Sequence, residues 1–173
     1  MDDRRPRRLV IGIGNPLRRD DGCGLAVARR VRELAPSHEL ILSWDGEPIA
    51  LLDRWDGATD VVVVDAIATN GSPGTIRRFD ARQEPLPARL FSLSSHAVGL
   101  GEAIETARAL GRLPASLIVV GIEGADFGFG VGLSPEVARS ASRVADRLAA
   151  AIRTPYSPVT RRRRAVTRLQ TGR

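Results

Sequence analysis

Two carboxylate positions and one imidazole are the groups best placed to do chemistry. Asp20 and Asp21 sit in a glycine-rich run, Gly12-Ile-Gly-Asn-Pro-Leu-Arg-Arg-Asp-Asp-Gly-Cys-Gly24. Asp65 follows four consecutive valines, Val61 to Val64, and His96 ends the run Ser94-Ser-His96. Two carboxylates and an imidazole make a facial ligand set for a divalent metal, with nickel, zinc, iron or manganese suited to such oxygen and nitrogen donors. Each residue alone has a simpler use. An aspartate at a helix start caps it and favours its dipole, an aspartate after a strand turns the chain, and a histidine at a helix start is satisfied by hydrogen bonds. Two aspartates in a row after a Gly-Asn turn are more than one cap needs. His38, in a Pro-Ser-His segment, is given no role.

Other chemistries fit less well. Gly12-x-Gly14 after a strand suggests dinucleotide binding, but the third glycine of that fingerprint is replaced by Leu17. Asp20 and Asp21 would also stand where pyrophosphate docks and would repel it. A Gly-Lys-Ser/Thr phosphate loop is excluded because the chain has no lysine. There is no His-Glu-x-x-His stretch and no Gly-x-Ser-x-Gly elbow, which argues against a zinc-protease helix and a serine triad around Ser94 or Ser95. Cys23 is the sole cysteine, so neither a disulfide framework nor a cysteine-cluster zinc site is expected. Among apolar neighbours it reads as a buried residue rather than a nucleophile.

These residues need a scaffold that brings them together. Leu9 to Ile13, Glu39 to Ser43, Val61 to Val64, Thr75 to Phe79 and Leu117 to Val120 read as strands, the fourth being polar enough for an edge. The valine run, ending at Asp65, reads as central and buried on both faces. Helical spacing follows Asp20-Asp21-Gly22, with either aspartate as N-cap. Helices are also expected over 48–55, over 97–110 with closure at Gly111, and from Ser134-Pro135 to about Ile152. Strands alternating with helices give a three-layer α/β/α fold on a mostly parallel, twisted sheet of about five strands. Such sheets place their sites at the carboxyl ends of the strands, where all three candidate positions fall.

The 173 residues suit one domain, but their net charge of +6 is unevenly spread. All 26 basic residues are arginine. A basic arm over 1–8 carries +2 and an Arg/Pro-rich tail over 153–173, expected to be disordered, carries +7, which leaves −3 on the domain over 9–152. A fold that reads nucleic acid carries its positive charge on the folded body, so a nucleic-acid partner is not expected. No apolar run reaches membrane-spanning length and the N-terminus does not read as a secretory signal. A soluble, cytoplasmic protein is the expectation.

The run Gly12-x-Gly-Asn-x-Leu-x-x-Asp-Asp-Gly-x-Gly24 resembles the opening signature of the hydrogenase maturation proteases. The order continues through Asp45-Gly46 with Leu51-Leu52, then Val61 to Ala66, Ser95-His96, Gly121-Ile-Glu-Gly124 and the helix near Ser134-Pro135. The resemblance spans about residues 9–152 and implies an open twisted sheet of the phosphorylase/hydrolase-like kind. It implies an endopeptidase that removes the C-terminal extension of a nickel-iron hydrogenase large-subunit precursor after nickel insertion. It also implies that Asp21, Asp65 and His96 recognise the metal; the same three are the candidate catalytic residues, either through a metal that polarises the scissile carbonyl or activates water, or with one carboxylate as general base. Several relatives have glutamate at the position of Asp21, so the ligand here is one methylene shorter. Nickel would then arrive with the precursor, and no organic cofactor is implied.

Two other readings remain open at this point. Val10-Ile-Gly-Ile-Gly-Asn-Pro16 is also similar to the start of peptidyl-tRNA hydrolases, but the Thr-Arg-His-Asn stretch of those enzymes is here Arg18-Arg-Asp-Asp-Gly-Cys-Gly24, without the histidine. The other reading is a non-catalytic, metal-binding member of the same fold.

Overall fold

In the computed structural model of the chain, the described residues are 8–35, 41–45, 47–87 and 99–153. They form strands β1 (Arg8–Ile13), β2 (Ile41–Trp44), β3 (Asp60–Ile67), β4 (Ile76–Asp80) and β5 (Ser116–Glu123). The helices are α1 (Cys23–Leu34), α2 (Leu51–Arg54), α3 (Leu100–Ala109) and α4 (Pro135–Arg153). The sheet order is β2-β1-β3-β5-β4, with every pair parallel except β4 against β5. The expected α/β/α sandwich is therefore present, and the polar fourth strand is an edge.

The valine run sits where its composition demands. β3 lies between β1 and β5, and the alternation of its side chains supplies both cores. Val61, Val63 and Ile67 pack with Leu51, Trp55, Leu100 and Ile104 on the α2–α3 face. Val64 and Ala66 join Val27, Val137, Ala141 and Val144 on the α1–α4 face. Burying each such valine is worth about 1.5–3 kcal/mol relative to leaving it in water. An ion pair from Arg30 to Asp146, at 2.9 Å, ties the outer surfaces of α1 and α4.

Several expectations need correction. Neither Asp20 nor Asp21 caps α1: the N-cap is Gly22, and both aspartates lie in a 3₁₀ turn, Arg19–Gly22, that leads into the helix. Asp65 does not end its strand. β3 continues to Ile67 because β5 pairs with it throughout, Asp65 opposite Gly121 and Ile67 opposite Glu123. The stretch 48–55 is a 3₁₀ turn, Pro48–Ala50, followed by the single turn of α2.

The closure of α3 at Gly111 is as expected. Gly111, at φ +67, and Arg112 donate to the carbonyls of Arg108 and Ala107, a Schellman ending. Arg8 opens β1, and its guanidinium donates to the Ala151 carbonyl near the end of α4. The remainder of the basic arm and the tail beyond Arg153 lie outside the described residues, and so does His96. Among the described residues no helix is long and apolar enough to cross a membrane.

Candidate active site

The topology creates one crevice. From β1 the chain crosses to β2 on one side and later returns to β3 on the other, so the strand order reverses between β1 and β3. Ligands of open α/β sheets bind at such a point, outside the carboxyl ends of the strands. β1 pairs with β3 only as far as Gly12 opposite Val64, whereas β3 and β5 run on together for three more residues. Asp65 is the first residue of that overhang, and the turn carrying Asp21 packs against β3.

The glycines of the opening run make this approach possible. A Cβ on Gly24 would stand 2.2 Å from the Ile13 carbonyl oxygen and 2.3 Å from that of Val64, so only glycine lets the first turn of α1 meet both strands. Gly14, at φ +144, leaves β1 in a conformation that L side chains rarely adopt, and its Cβ would collide with the Asp21 carbonyl. Asn15 then turns the chain, its Oδ1 accepting the Leu17 N–H at 2.9 Å. The motif is thus a close-packing device that seats the aspartates above β1.

The two neighbouring aspartates have different surroundings. Asp20 is fully buried. Its Oδ2 accepts from Ala125 N–H (2.8 Å), Asp126 N–H (2.9 Å) and the Ser134 hydroxyl (2.6 Å), and its Oδ1 accepts from Ser134 N–H (2.6 Å). Burial pushes its carboxyl up, but these bonds, led by those from Ser134, outweigh it and hold the group below its ordinary value. Asp20 therefore clasps the turn after β1 to the loop over 124–134. Backbone bonds continue the seam: Asp20 N–H to Asp126 O, Arg19 N–H to Gly130 O and Gly130 N–H to Leu17 O.

Asp21 and Asp65 are each 6 % exposed. Among the described residues Asp65 accepts one hydrogen bond, from Ala66 N–H at 2.8 Å. Burial pushes its carboxyl up to about 7; the Ala66 bond opposes the rise and the charge of Asp21 adds to it. Cys23 lies beneath this pair, fully buried, and burial, with the charges of Asp65, Asp20 and Asp21 adding, pushes its thiol well above the ordinary range. Burial and the neighbouring carboxylates thus disfavour its thiolate, which agrees with the reading of Cys23 as a buried residue.

The Asp65 environment has a measurable consequence. Its carboxyl ionises near 4 in the unfolded chain and near 7 in the folded one, so the folded state binds the proton more tightly. The contribution is full below pH 4 and is lost as pH rises through 7. In chelator, the stability of Asp65→Asn relative to the parent should climb between pH 4 and 7 and then level. The total climb should be on the order of 1–4 kcal/mol. Thermal melts of both proteins across that range test this, and a pH-independent difference would refute it.

Asp21 and Asp65, both expected at the strand ends, lie close enough in the structure for their charges to interact. Sequence reasoning did not see that Asp20 is a structural clasp, or that Glu123 is another. Glu123, fully buried at the end of β5, accepts from Thr69 N–H (2.6 Å), Thr69 Oγ1 (2.7 Å) and Gly71 N–H (3.0 Å) and pins the connection into β4. Its position at a strand end was the available signal. Among the described residues no group of three His, Cys, Asp or Glu is arranged to hold a metal ion.

Fold and crevice together define an open-sheet α/β protein whose switch point presents carboxylates instead of a phosphate cradle. The sequence profile of the HycI hydrogenase maturation proteases matches residues 46–151, and the chain belongs to the hydrogenase maturation protease family. It is 29% identical over 152 residues to the Hydrogenase 2 maturation protease of Escherichia coli K12, covering 85% of this chain and 91% of that protein. It is 30% identical over 135 residues to the hydrogenase expression/formation protein HupD of Thiocapsa roseopersicina, covering 76% of this chain but only 61% of that relative's length. The crystal structure of the [NiFe] hydrogenase maturation protease HycI from Thermococcus kodakarensis superposes with a TM-score of 0.69 at 26% identity, covering 86% of this chain and 94% of that one.

Proposed function

We propose that the chain is the endopeptidase that removes the C-terminal extension of a nickel-iron hydrogenase large-subunit precursor, acting in the cytoplasm once nickel is in place. The observation that supports this reading is the burial of two aspartates, Asp21 and Asp65, at the crevice between β1 and β3. Two buried carboxylates that repel each other form a site that a divalent cation relieves. The nickel belongs to the substrate. A protease that finds its cleavage site by binding the precursor's metal cuts only loaded precursor, so recognition itself is the check on loading.

His96 supplies the third donor in this reading. It precedes Leu100 by four residues, and α3 starts toward the carboxyl edge of the sheet, the edge on which the crevice opens. That placement follows from the helix's far end. Arg108, in its last turn, donates to the carbonyl of Ala81, which follows the amino-edge end of β4, so Leu100 lies toward the carboxyl edge. Hydrolysis then needs water delivered to the scissile carbonyl beside the bound ion, with the proton passed to the leaving amine.

The test is to incubate the purified chain with its large-subunit precursor in nickel-loaded and nickel-free forms and follow the subunit's mass. Shortening of the loaded form alone is the expected result. Nickel-dependent binding without shortening would instead identify a non-catalytic member of the family. Shortening of both forms alike would overturn the role given to the metal.

A further inference from the structure

Six large apolar side chains are exposed among the described residues, and three of them meet in one place. Phe129 is 89% exposed, Val131 78% and Leu17 62%. Gly130, between the first two, bridges in parallel to Arg18, with Gly130 N–H donating to the Leu17 carbonyl at 2.9 Å and Arg19 N–H to that of Gly130 at 3.0 Å. A parallel bridge puts the preceding residues of both strands side by side, and likewise the following ones. Leu17 therefore neighbours Phe129, and Arg19 neighbours Val131. Scattered apolar residues on a surface need no explanation, but a contiguous crest on two hydrogen-bonded loops marks an interaction surface.

The crest borders a groove of about 510 Å³ whose apolar lining includes Pro16, Leu25 and Leu133, with Val131 on it as well. Gly22, the residue after Asp21, also lines it, so the groove begins one residue along the chain from a crevice carboxylate. Arg19, Arg29 and Arg32 line it too, although residues 9–152 are net negative. Two of these guanidiniums are engaged. Arg19 pairs with Asp126 at 3.3 Å, and Arg32 donates to the Ile41 carbonyl at 2.8 Å. Arg29 has no ionic or hydrogen-bond partner among the described residues and is exposed. The groove thus combines an apolar lining with one exposed guanidinium, that of Arg29, which no described group engages.

We propose that this crest and groove dock the precursor's peptide around the scissile bond. Leu17, Phe129 and Val131 cover apolar side chains of the peptide, and Arg29 binds an acidic side chain on it. The occupant follows from complementarity to this lining: an extended peptide segment with apolar side chains for the crest and a carboxylate for Arg29. This rests on the reading of the chain as the precursor's endopeptidase.

The test uses the full chain and the full-length, nickel-loaded precursor, with cleavage kinetics and interferometric binding measured in parallel. Phe129→Ala/Val131→Ala and Arg29→Glu should each raise KM and Kd about tenfold with kcat nearly unchanged. Arg29→Glu should also flatten the salt dependence of binding. Both changes are at exposed positions, so melting temperatures should match the parent. If the parent cuts and both variants keep KM and Kd within twofold, the docking surface is wrong while the peptidase reading stands. If the parent binds without cutting and the variants lose binding, the surface stands and the peptidase reading falls. A parent that neither binds nor cuts overturns both.

Discussion

Asp65→Ala is expected to lower kcat/KM for the nickel-loaded precursor by at least about 100-fold, with Asp21→Ala close behind. Both carboxylates are buried at the crevice, and the charge of Asp21 disfavours ionisation of Asp65. Under the proposed function, removing either would leave a partial ligand set that no longer fits the metal, and the precursor would bind out of register with the attacking water. Asp65→Asn separates shape from charge. It keeps an oxygen at nearly the same place but carries no negative charge, and should be nearly as inactive while folding at least as stably at pH 8. The readout is the mass of the large subunit over time, beside thermal melts of each variant. His96→Ala should join this class. Full cleavage by a folded Asp65→Ala protein would remove the site from the crevice.

The second large effect is structural. Asp20→Ala is expected to cost about 3–5 kcal/mol, since four donors lose their shared buried acceptor at once. For a chain of this length that corresponds to a fall in melting temperature of roughly 6–20 °C. Asp20→Asn should fall between the two, because its single acceptor oxygen leaves an NH₂ aimed at a donor. The folded carboxyl ionises below its unfolded value, so its stabilisation is present above that value and is lost as pH falls through the folded one. Calorimetry near neutral pH reads this directly. An Asp20→Ala protein as stable as the parent would show that the clasp is not what joins the two loops. The two neighbours are expected to separate, Asp20 acting on the melting curve and Asp21, under the proposed function, on turnover.

Much of this was written in local sequence. Four β-branched residues in a row require a two-sided central strand, and β3 is one. Gly111 past an apolar helical face requires a left-handed ending, and α3 has it. Asp21 and Asp65 could be placed together because a parallel sheet sends its strand ends to one edge. The division of labour between Asp20 and Asp21 was not legible, since it depends on Ala125, Asp126 and Ser134, more than a hundred residues away in the chain. The continuation of β3 past Asp65 was hidden for a similar reason. A polar residue reads as a strand terminator until its partner, Gly121, is known. The antiparallel direction of β4 likewise depends on β5, which comes forty residues later.

The clasp also bears on rates. Because Asp20 and the backbone seam fix both loops in the folded chain, the crest they carry is ordered before any precursor arrives. Docking on this crest, as proposed, would then cost little ordering entropy in these two loops, and the expected encounter rate is that of an ordinary rigid-body association. Under the proposed function, discrimination between loaded and unloaded precursors would then fall to the dissociation step: an unloaded precursor would leave the same surface quickly, and a loaded one would be held long enough to be cut.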